Sequence, residues 1–392
     1  MKNFRIHRLC EAARQSGYDC LVASCPENIA YTSCGYQSIG QSVNASMQFY
    51  TVLSVHTGEL SYVVSVADIL NVLEFAGVET EIYAYGTFHF DFTDSQDAFV
   101  RRAADICARR YASAEEALCA AVQKAGTRPA FDETHINFVL AQSIARTLGL
   151  DSLSPASAIF REARRIKHPQ EIDGIRESSQ LAERALLDAL KHAGVGTTEE
   201  DLETLYRESV VRQGGLPYFF VATAAHRSAF VDAHNTSLKF RAGDMIRFDF
   251  GCVYKGFYSD LARTAVIGHA DLELEKLYTA VVKGAEAALD CLRPGIQAQE
   301  VFRAAVNETR RAGIPTYVRS HCGHGIGLEG YDVPSIAEGV QDILAENMVL
   351  CIETPYYRVG WGGVQIEHTV AITKDGYEFL DSGDHALIVV DN

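Results

Sequence analysis

The sequence lacks the features of a membrane-spanning, nucleic-acid-binding or secreted protein. No stretch of its 392 residues approaches the run of about 18 uncharged apolar residues that a membrane helix needs. No dense Lys/Arg tract interrupts an acidic composition of 35 Lys+Arg against 51 Asp+Glu, a formal net charge of −16. This balance disfavours binding to nucleic acids or anionic membranes. Because the first twenty residues mix charged and apolar positions at helical spacing, we expect neither a signal peptide nor a membrane span.

The ten cysteines are scattered through the chain and form no CxxC pair. That distribution favours free thiols in a reduced, cytoplasmic compartment over a disulfide framework. Each cysteine is expected to be a small buried apolar residue. Cys322 stands out because its neighbours are glycine and histidine.

The length predicts two domains, at roughly 150 residues per domain. Hydrophobic residues make up 47% and charged residues 22% of the chain, as is typical of globular proteins. Helical and strand-like patterns alternate over the first part, which predicts an α/β domain, with the segment PENIAYTSCGY (26–36) interpreted as a turn-rich loop. The composition changes at REARRIKHPQEIDGI, where Pro169 begins a long helix. We therefore predict domains at 1–165 and 166–392.

The second half contains a weak internal repeat. The segments 192–215 and 291–314 share a glycine turn, a helix of similar length and a terminal glycine. Each segment is followed by a histidine-containing stretch and then by a predicted β-hairpin that carries two carboxylates. Two related halves that face each other would bring four carboxylates to one centre.

The first of these hairpins carries Asp249 and Asp260. If Tyr254 and Lys255 form the turn, the two carboxylates lie directly opposite each other on one face of the sheet. Like charges in that arrangement are destabilising, so the pair predicts a cation between them.

The second hairpin carries Glu353 and Glu367, which are opposed if the turn is centred on Gly360. Between the hairpins lies HCGHGIGLEGYDVP, where glycines surround His324 and let the backbone approach closely. Four carboxylates and one imidazole suit two hard or borderline divalent ions, Mn²⁺, Co²⁺, Zn²⁺ or Fe²⁺. Two such ions, about 3.5–4 Å apart, are typical of hydrolytic sites.

Several motifs resemble one enzyme family. The segments FDFGCVYKGFYSDLART, HGIGL, IETPY and VQIEHTV look like the metal-ligand motifs of the pita-bread metallopeptidases, which include methionine aminopeptidase, prolidase, aminopeptidase P and the metal-free relative creatinase. This match runs over about 166–392. PENIAYTSCGY and IKHPQEIDGIR resemble the creatinase/prolidase-type N-terminal domain, so the resemblance covers the whole chain.

The resemblance implies an α/β N-terminal domain followed by an α+β pita-bread catalytic domain, and a homodimer. It implies five ligands for two metal ions: Asp249, Asp260, His324, Glu353 and Glu367. Asp260 and Glu367 would bridge the ions. His234, in VDAHNTS, resembles a histidine that contacts substrate in prolidases and acts on substrate in creatinase.

The sequence departs from the peptidase pattern at four positions near the ligands. Ser320 stands where Xaa-Pro peptidases commonly have a histidine, and His321 lies one place nearer His324. Tyr331 replaces a second catalytic histidine; a phenol can donate a hydrogen bond to an oxyanion but is a poor proton shuttle at neutral pH. Gln365 stands where many relatives have arginine, and His368 where they have aspartate. These changes leave the metal-ligand set intact, but they weaken the case for a peptide substrate.

The resemblance implies a dinuclear-metal hydrolase of the Xaa-Pro dipeptidase/aminopeptidase type, in which a bridging hydroxide attacks the amide carbonyl next to proline. Glu353 would move the proton, His234 would stabilise the tetrahedral intermediate, and His321 or Tyr331 would assist. The substrate would be a small peptide or amide.

Two alternatives stay open. The same fold and metals could act on a small non-peptide metabolite as a C–N hydrolase or lyase, as in creatinase or ectoine hydrolase. A non-enzymatic binding protein is disfavoured because all five ligand positions are filled.

Overall fold

The computed structural model describes residues 2–44 and 47–391. The chain divides into two compact units, Met1–Arg164 and Arg165–Asn392. Each unit has its own sheet and its own hydrophobic core. Among the described residues, no helix combines the length and the apolar composition that crossing a bilayer requires.

The first unit is a mixed sheet with helices around it. Its helices are α1 (Lys2–Gln15), α2 (Pro26–Ser33), α3 (Ile39–Val43), α4 (Ile69–Ala76), α5 (Ala98–Ala108), α6 (Ala114–Ala125), α7 (Phe138–Leu148) and α8 (Ser157–Arg165), with 3₁₀ turns at Val66–Asp68 and Glu133–His135. Its strands are β1 (Cys20–Ala23), β2 (Tyr50–Ser54), β3 (Leu60–Ser65), β4 (Glu81–Tyr85), β5 (Pro129–Phe131) and β6 (Ser154–Pro155), in the order β4-β3-β2-β1-β5-β6. The predicted α/β architecture of this region is confirmed.

The interpretation of 26–36 as a loop is wrong, because most of it is helix α2. The Cys25 side chain accepts a hydrogen bond from the Asn28 amide, Pro26 occupies the first turn, and Cys34 ends the helix in the left-handed conformation. A proline at the first turn favours a helix start. A thiol is an unusual cap, so this helix start was hard to predict from the residue types.

The second unit is built on one large, curled sheet. Its helices are α9 (Pro169–Leu190), α10 (Glu199–Arg212), α11 (Leu272–Asp290) and α12 (Ala298–Ala312), with a 3₁₀ turn at Ala225–Ala229. Its strands are β7 (Leu216–Ala224), β8 (Met245–Tyr254), β9 (Phe257–Tyr258), β10 (Leu261–Ile267), β11 (Gly323–Gly325), β12 (Asp332–Ser335), β13 (Val349–Glu353), β14 (Tyr356–Arg358), β15 (Gly362–Val364), β16 (Glu367–Ile372), β17 (Tyr377–Phe379) and β18 (Ile388–Val390). The main path of the sheet runs β12-β11-β13-β16-β10-β8-β7.

Two helix pairs cover this sheet. One core cluster joins α9 and α10 to β7, β8 and β10, with Tyr206 and Phe248 among its buried members. The other joins α11 and α12 to β13 and β16, with Phe302 and Leu350 among its members. The repeated segments identified in the sequence contain α10 and α12, and an isolated β-bridge precedes each of these helices. Because strand side chains alternate, the residues next to Phe248 and Leu350 in sequence point away from these helices.

Candidate metal centre

Acidic side chains form a row across neighbouring strands on the sheet face away from the helices. Glu353 of β13 lies directly opposite Glu367 of β16. Glu367 in turn lies opposite Ala262 of β10, and Ala262 lies opposite Asp249 of β8. Directly opposed residues share a face, so the three carboxylates point to the same side. The small Ala262 side chain leaves space between two of them.

The predicted register is confirmed in the second hairpin and wrong in the first. Gly360 lies at the turn of the second hairpin, as predicted. In the first hairpin Asp249 is opposite Ala262 instead of Asp260, because Lys255 and Gly256 form the turn.

Lys255 and Gly256 both have positive φ, 52° and 84°. Two positive φ values in a two-residue hairpin loop describe a type I′ turn, which favours glycine at its second position. A turn displaced by one residue moves the pairing by two positions, so the predicted face is kept.

Asp260 and His324 complete the cluster. Asp260 immediately precedes β10, and His324 lies in β11, two strands from Glu367. The His324 Nε2 atom is 3.5 Å from Asp260 Oδ2 and 3.9 Å from Glu367 Oε1. One oxygen each of Asp249, Asp260 and Glu367 lie within 4.8 Å of one another. The five predicted ligands therefore come from five neighbouring strands or their ends.

The protein's own cations do not neutralise this cluster evenly. Burial, and then the charge of Asp260, raise the pKa of Asp249 to about 7. Burial also raises the pKa of Asp260, and burial with the neighbouring carboxylates raises that of Glu367 well above its usual range. Burial acts in the same direction on Glu353, but His321 and Arg319 outweigh it and hold the pKa of Glu353 below its usual range. Three of the four carboxylates thus lack a sufficient counter-charge.

A divalent cation fits this arrangement. The converging atoms are carboxylate oxygens and one imidazole nitrogen, a donor set that hard and borderline divalent ions prefer. His324 Nδ1 lies 2.9 Å from the Gly325 carbonyl oxygen, which leaves Nε2 directed at the carboxylates. A carbonyl partner on the far ring nitrogen is the usual way to fix a ligand histidine. Cys351 Sγ, a ring nitrogen of His324 and a carboxylate oxygen of Glu367 lie within 4.8 Å of one another, so a sulfur atom also borders the cluster.

The model of metallopeptidase family M24 matches residues 173–374, more than half of the chain. The chain belongs to this family. The matched range contains all five clustered residues, and members of the M24 family use divalent metal ions. The predicted family and the predicted enzyme class, a metal-dependent hydrolase, are therefore confirmed.

Individual relatives of this M24 protein carry peptidase names. A protein of Pyrococcus horikoshii named Xaa-Pro dipeptidase is 26% identical over 258 residues, which span 65% of this chain and 74% of the relative. A Mycobacterium tuberculosis protein named probable dipeptidase PepE is 31% identical over 237 residues, 60% of this chain and 63% of the relative.

Solved structures extend the similarity to both units. The Xaa-Pro dipeptidase from Bacillus anthracis aligns with a TM-score of 0.82 at 20% identity, covering 98% of this chain and 99% of that one. The dipeptidase PepE from Mycobacterium ulcerans aligns with a TM-score of 0.80 at 23% identity, covering 99% and 97%. At these identities the likeness shows the fold. The predicted pita-bread catalytic domain behind an α/β N-terminal region is confirmed.

The remaining predicted residues surround the carboxylates at different distances. His321 Nδ1 lies 3.0 Å from Glu353 Oε1, whereas Ser320 is exposed. Tyr331 stacks on His324, with ring centroids 3.6 Å apart and an interplanar angle of 18°, although 60% of the residue is exposed.

His234 is exposed and lines a pocket of about 520 Å³ that Asp249, Asp260 and Tyr331 also line. Cys322 is fully buried in the core around α11 and α12, and burial raises its pKa to about 12, as expected of an inert thiol. All ten cysteines lie in the described part of the chain and are free thiols.

Two arginines beside the cluster are not among the residues predicted from the sequence. Arg319 Nη2 lies 3.6 Å from Glu353 Oε2. Arg247 Nη1 lies 3.4 Å from Asp249 Oδ2, and its side chain has no solvent exposure. A signal for Arg247 was present, because an arginine two positions before Asp249 in an apolar strand shares its face.

Proposed function

We propose that the protein is a dipeptidase that hydrolyses the peptide bond before proline in Xaa-Pro dipeptides. Two divalent ions, Mn²⁺, Co²⁺, Zn²⁺ or Fe²⁺, would be held by Asp249, Asp260, His324, Glu353 and Glu367. The observation that carries the proposal is the convergence of these side chains beside a pocket of about 520 Å³, a volume typical of small-molecule sites. The names of the relatives, Xaa-Pro dipeptidase and dipeptidase, support the substrate class.

Glu353 is suited to transfer the proton. When bound, the divalent ions would polarise the scissile carbonyl and acidify the attacking water. His321 and Arg319 keep Glu353 ionised, since they outweigh the effect of burial on its pKa. An ionised carboxylate beside the reacting centre can accept a proton from water and then pass it to the leaving amine.

His234 and Tyr331 border the pocket where the substrate carbonyl would lie. An imidazole N–H or a phenolic O–H can donate a hydrogen bond to the oxyanion of the tetrahedral intermediate. Burial, and then the nearby carboxylates, raise the pKa of Tyr331 above its usual range, so it would act as a donor and not as a base. His321 would hold Glu353 in place.

The assembly and the compartment are also proposals. The family resemblance supports a homodimer, which light scattering coupled to size-exclusion chromatography would test. The ten free thiols support a reducing, cytoplasmic location.

A dipeptide panel tests the function. The protein is loaded separately with each of the four metals and assayed against Xaa-Pro dipeptides, matched Xaa-Ala dipeptides and Xaa-Pro-Yaa tripeptides. We expect Xaa-Pro dipeptides to be cleaved and Xaa-Ala dipeptides to be poor substrates. Absence of turnover with every metal would refute the proposal, and a preference for tripeptides would reassign the protein to the aminopeptidases.

Asp260→Asn provides the matched control for the ligand assignment. Asparagine has nearly the same shape but loses one carboxylate charge from the cluster, so both metal content and turnover should fall to background. Metal analysis of the purified variant measures this without substrate. Unchanged metal stoichiometry would exclude Asp260 as a ligand.

A second candidate is the hydrolysis or cleavage of a C–N bond in a small non-peptide metabolite. It is favoured by Ser320, which is exposed, and by Tyr331, since both stand where peptidases have histidine. A metabolite panel followed by mass spectrometry distinguishes the two candidates. Efficient cleavage of Xaa-Pro dipeptides would argue against the second.

A further inference from the structure

Arg247 has every donor hydrogen engaged although it is fully buried. On one side it binds the backbone of the segment that leads to His234. Its Nε donates to the Ser228 carbonyl at 3.0 Å, and its Nη2 donates to the carbonyls of Phe230 and Val231 at 2.8 and 2.7 Å. These three bonds use three of the five N–H groups of the guanidinium.

The other two donors face the acidic cluster. Nη1 donates to Gln365 Oε1 at 3.0 Å and to Asp249 Oδ2 at 3.4 Å. The Gln365 amide connects Arg247 to two carboxylates, because its Nε2 donates to Asp249 Oδ2 at 3.3 Å and to Glu353 Oε2 at 3.4 Å. The hydroxyl of Tyr357 also donates to Gln365 Oε1, at 3.2 Å, which fixes the orientation of the amide.

The segment 230–235 is held at both ends. Arg247 holds its beginning, and Asn235 holds its end through bonds to the Ala222 amide at 2.7 Å and the Phe220 carbonyl at 2.9 Å. His234 lies between these attachments and lines the pocket together with Asp232. Arg227 Nη2 also donates to the His234 carbonyl, at 2.8 Å. Arg247 is therefore one of three attachments that set the position of His234, and of these three it is the one that also contacts Asp249.

We propose that Arg247 is a positioning residue that joins the substrate-facing segment 230–235 to the metal centre, directly through Asp249 and indirectly through Gln365. The proposal rests on the function proposed above. The positive charge of Arg247 offsets part of the acidic cluster. The planar guanidinium of Arg247 fixes the distance between the segment 230–235 and the cluster. Lysine cannot replace it, because an ammonium has three donors and no fixed fork.

Gln365 carries no charge, so the cation next to Asp249 is Arg247 of β8. Here the glutamine passes the contact from Arg247 to Asp249 and Glu353. An arginine at position 365 would donate hydrogen bonds to the carboxylates and keep them in place, but it would not replace the bonds to residues 228–231.

Four variants separate the effect of Arg247 on the metal ligands from its effect on the segment 230–235. They are Arg247→Gln, Arg247→Lys, Gln365→Leu and the double variant Arg247→Gln/Gln365→Arg. Arg5→Gln is the matched control, because Arg5 is 2% exposed and binds the Ala30 carbonyl in the first unit. Affinity for Mn²⁺ and Zn²⁺ is measured by chelator competition without substrate. kcat and KM are then measured on the best Xaa-Pro dipeptide, and thermal unfolding is recorded for each variant.

Arg247→Gln should weaken metal affinity about 10- to 100-fold, the usual range for the loss of a residue that supports a ligand, and should also raise KM. Gln365→Leu should weaken metal affinity and leave KM near the wild-type value. The double variant should recover metal affinity while KM stays raised, and Arg247→Lys should also keep a raised KM. Arg5→Gln should change the unfolding temperature alone.

Wild-type metal affinity and KM in Arg247→Gln would overturn the inference, as would recovery of KM in the double variant. If Arg247→Gln does not fold, the metal affinity of Gln365→Leu still tests the contact with the carboxylates. The KM of Arg247→Lys then tests the contact with the segment 230–235. Failure of the proposed function is recognised separately: the wild type would bind metal but cleave no Xaa-Pro dipeptide, and the metal affinities would still test the contact through Gln365.

Discussion

A shift of one residue decides which side chain meets Glu353. The histidine expected from the peptidase pattern would occupy position 320, but Ser320 is exposed and His321 contacts the carboxylate instead. The chain thus places an imidazole beside Glu353 from a neighbouring position. A comparison of sequences position by position would conclude that no histidine contacts Glu353, although His321 does.

Tyr331 lies flat on His324, so its ring and its hydroxyl have separable roles. Tyr331→Phe keeps the stacked ring, and we expect it to retain metal affinity within about threefold, since the aromatic contact is preserved. If the hydroxyl stabilises the oxyanion, kcat should fall by about 100- to 1,000-fold in this variant. Tyr331→Ala should lower metal affinity as well. Equal metal affinity in the alanine and phenylalanine variants would exclude a positioning role for the ring.

Asp132 is a buried carboxylate of the first unit that is held ionised by hydrogen bonds. Burial raises its pKa, but bonds from Thr134, Cys25 and Asn28 outweigh burial and leave the pKa below its usual range. A depressed pKa in the folded state stabilises the protein above the unfolded pKa, about 4, and this stabilisation is lost as the pH falls through the folded value.

Asp132→Asn should therefore lower the free energy of unfolding by about 1–3 kcal/mol at pH 7. The difference from wild type should shrink below about pH 4. Urea unfolding at several pH values measures it, with the fully exposed Asp91→Asn as control. A difference that does not vary with pH would contradict the ionised state assigned to Asp132.

At the scale of elements, the sequence predicts the sheet face on which a side chain lies more reliably than the pairing register of the strands. Both hairpins place their carboxylates on the predicted face, because alternation along a strand is local and visible in the apolar neighbours of Asp249 and Glu353. The register of the first hairpin depends on which residues form the turn, and Lys255 at positive φ is a choice the sequence did not indicate. The bonds from Arg247 to residues 228–231 are less predictable still, because they join it to backbone carbonyls 16 to 19 positions away.

Gly251 allows the strands of the first hairpin to approach next to the acidic cluster. A Cβ at this position would lie far inside contact distance of the Ser259 carbonyl oxygen, and Ser259 immediately precedes Asp260. Gly251→Ala should therefore displace the chain at Asp260, lower stability by about 1–3 kcal/mol and weaken metal binding. Urea unfolding and metal analysis measure the two effects. Gly376→Ala is the control, because nothing lies within 4 Å of a Cβ there.

At the scale of the whole molecule, four of the negative charges in the net −16 belong to one internal cluster. The cluster draws on strands from both halves of the second unit, so bound cations would link the two helix-covered halves of one sheet. Part of the acidic composition therefore belongs to a site inside the protein.

Metal removal should therefore destabilise the second unit. A ligand that binds only the folded state adds about 2.7 kcal/mol at a hundredfold excess over its dissociation constant, and this corresponds to roughly 5–10 °C for a unit of this size. Differential scanning calorimetry of chelator-treated protein should show that decrease, and added Mn²⁺ or Zn²⁺ should reverse it. Asp260→Asn should unfold at the same temperature with and without metal. An unchanged transition in the chelated wild type would mean that the carboxylates hold no ion that links the two halves.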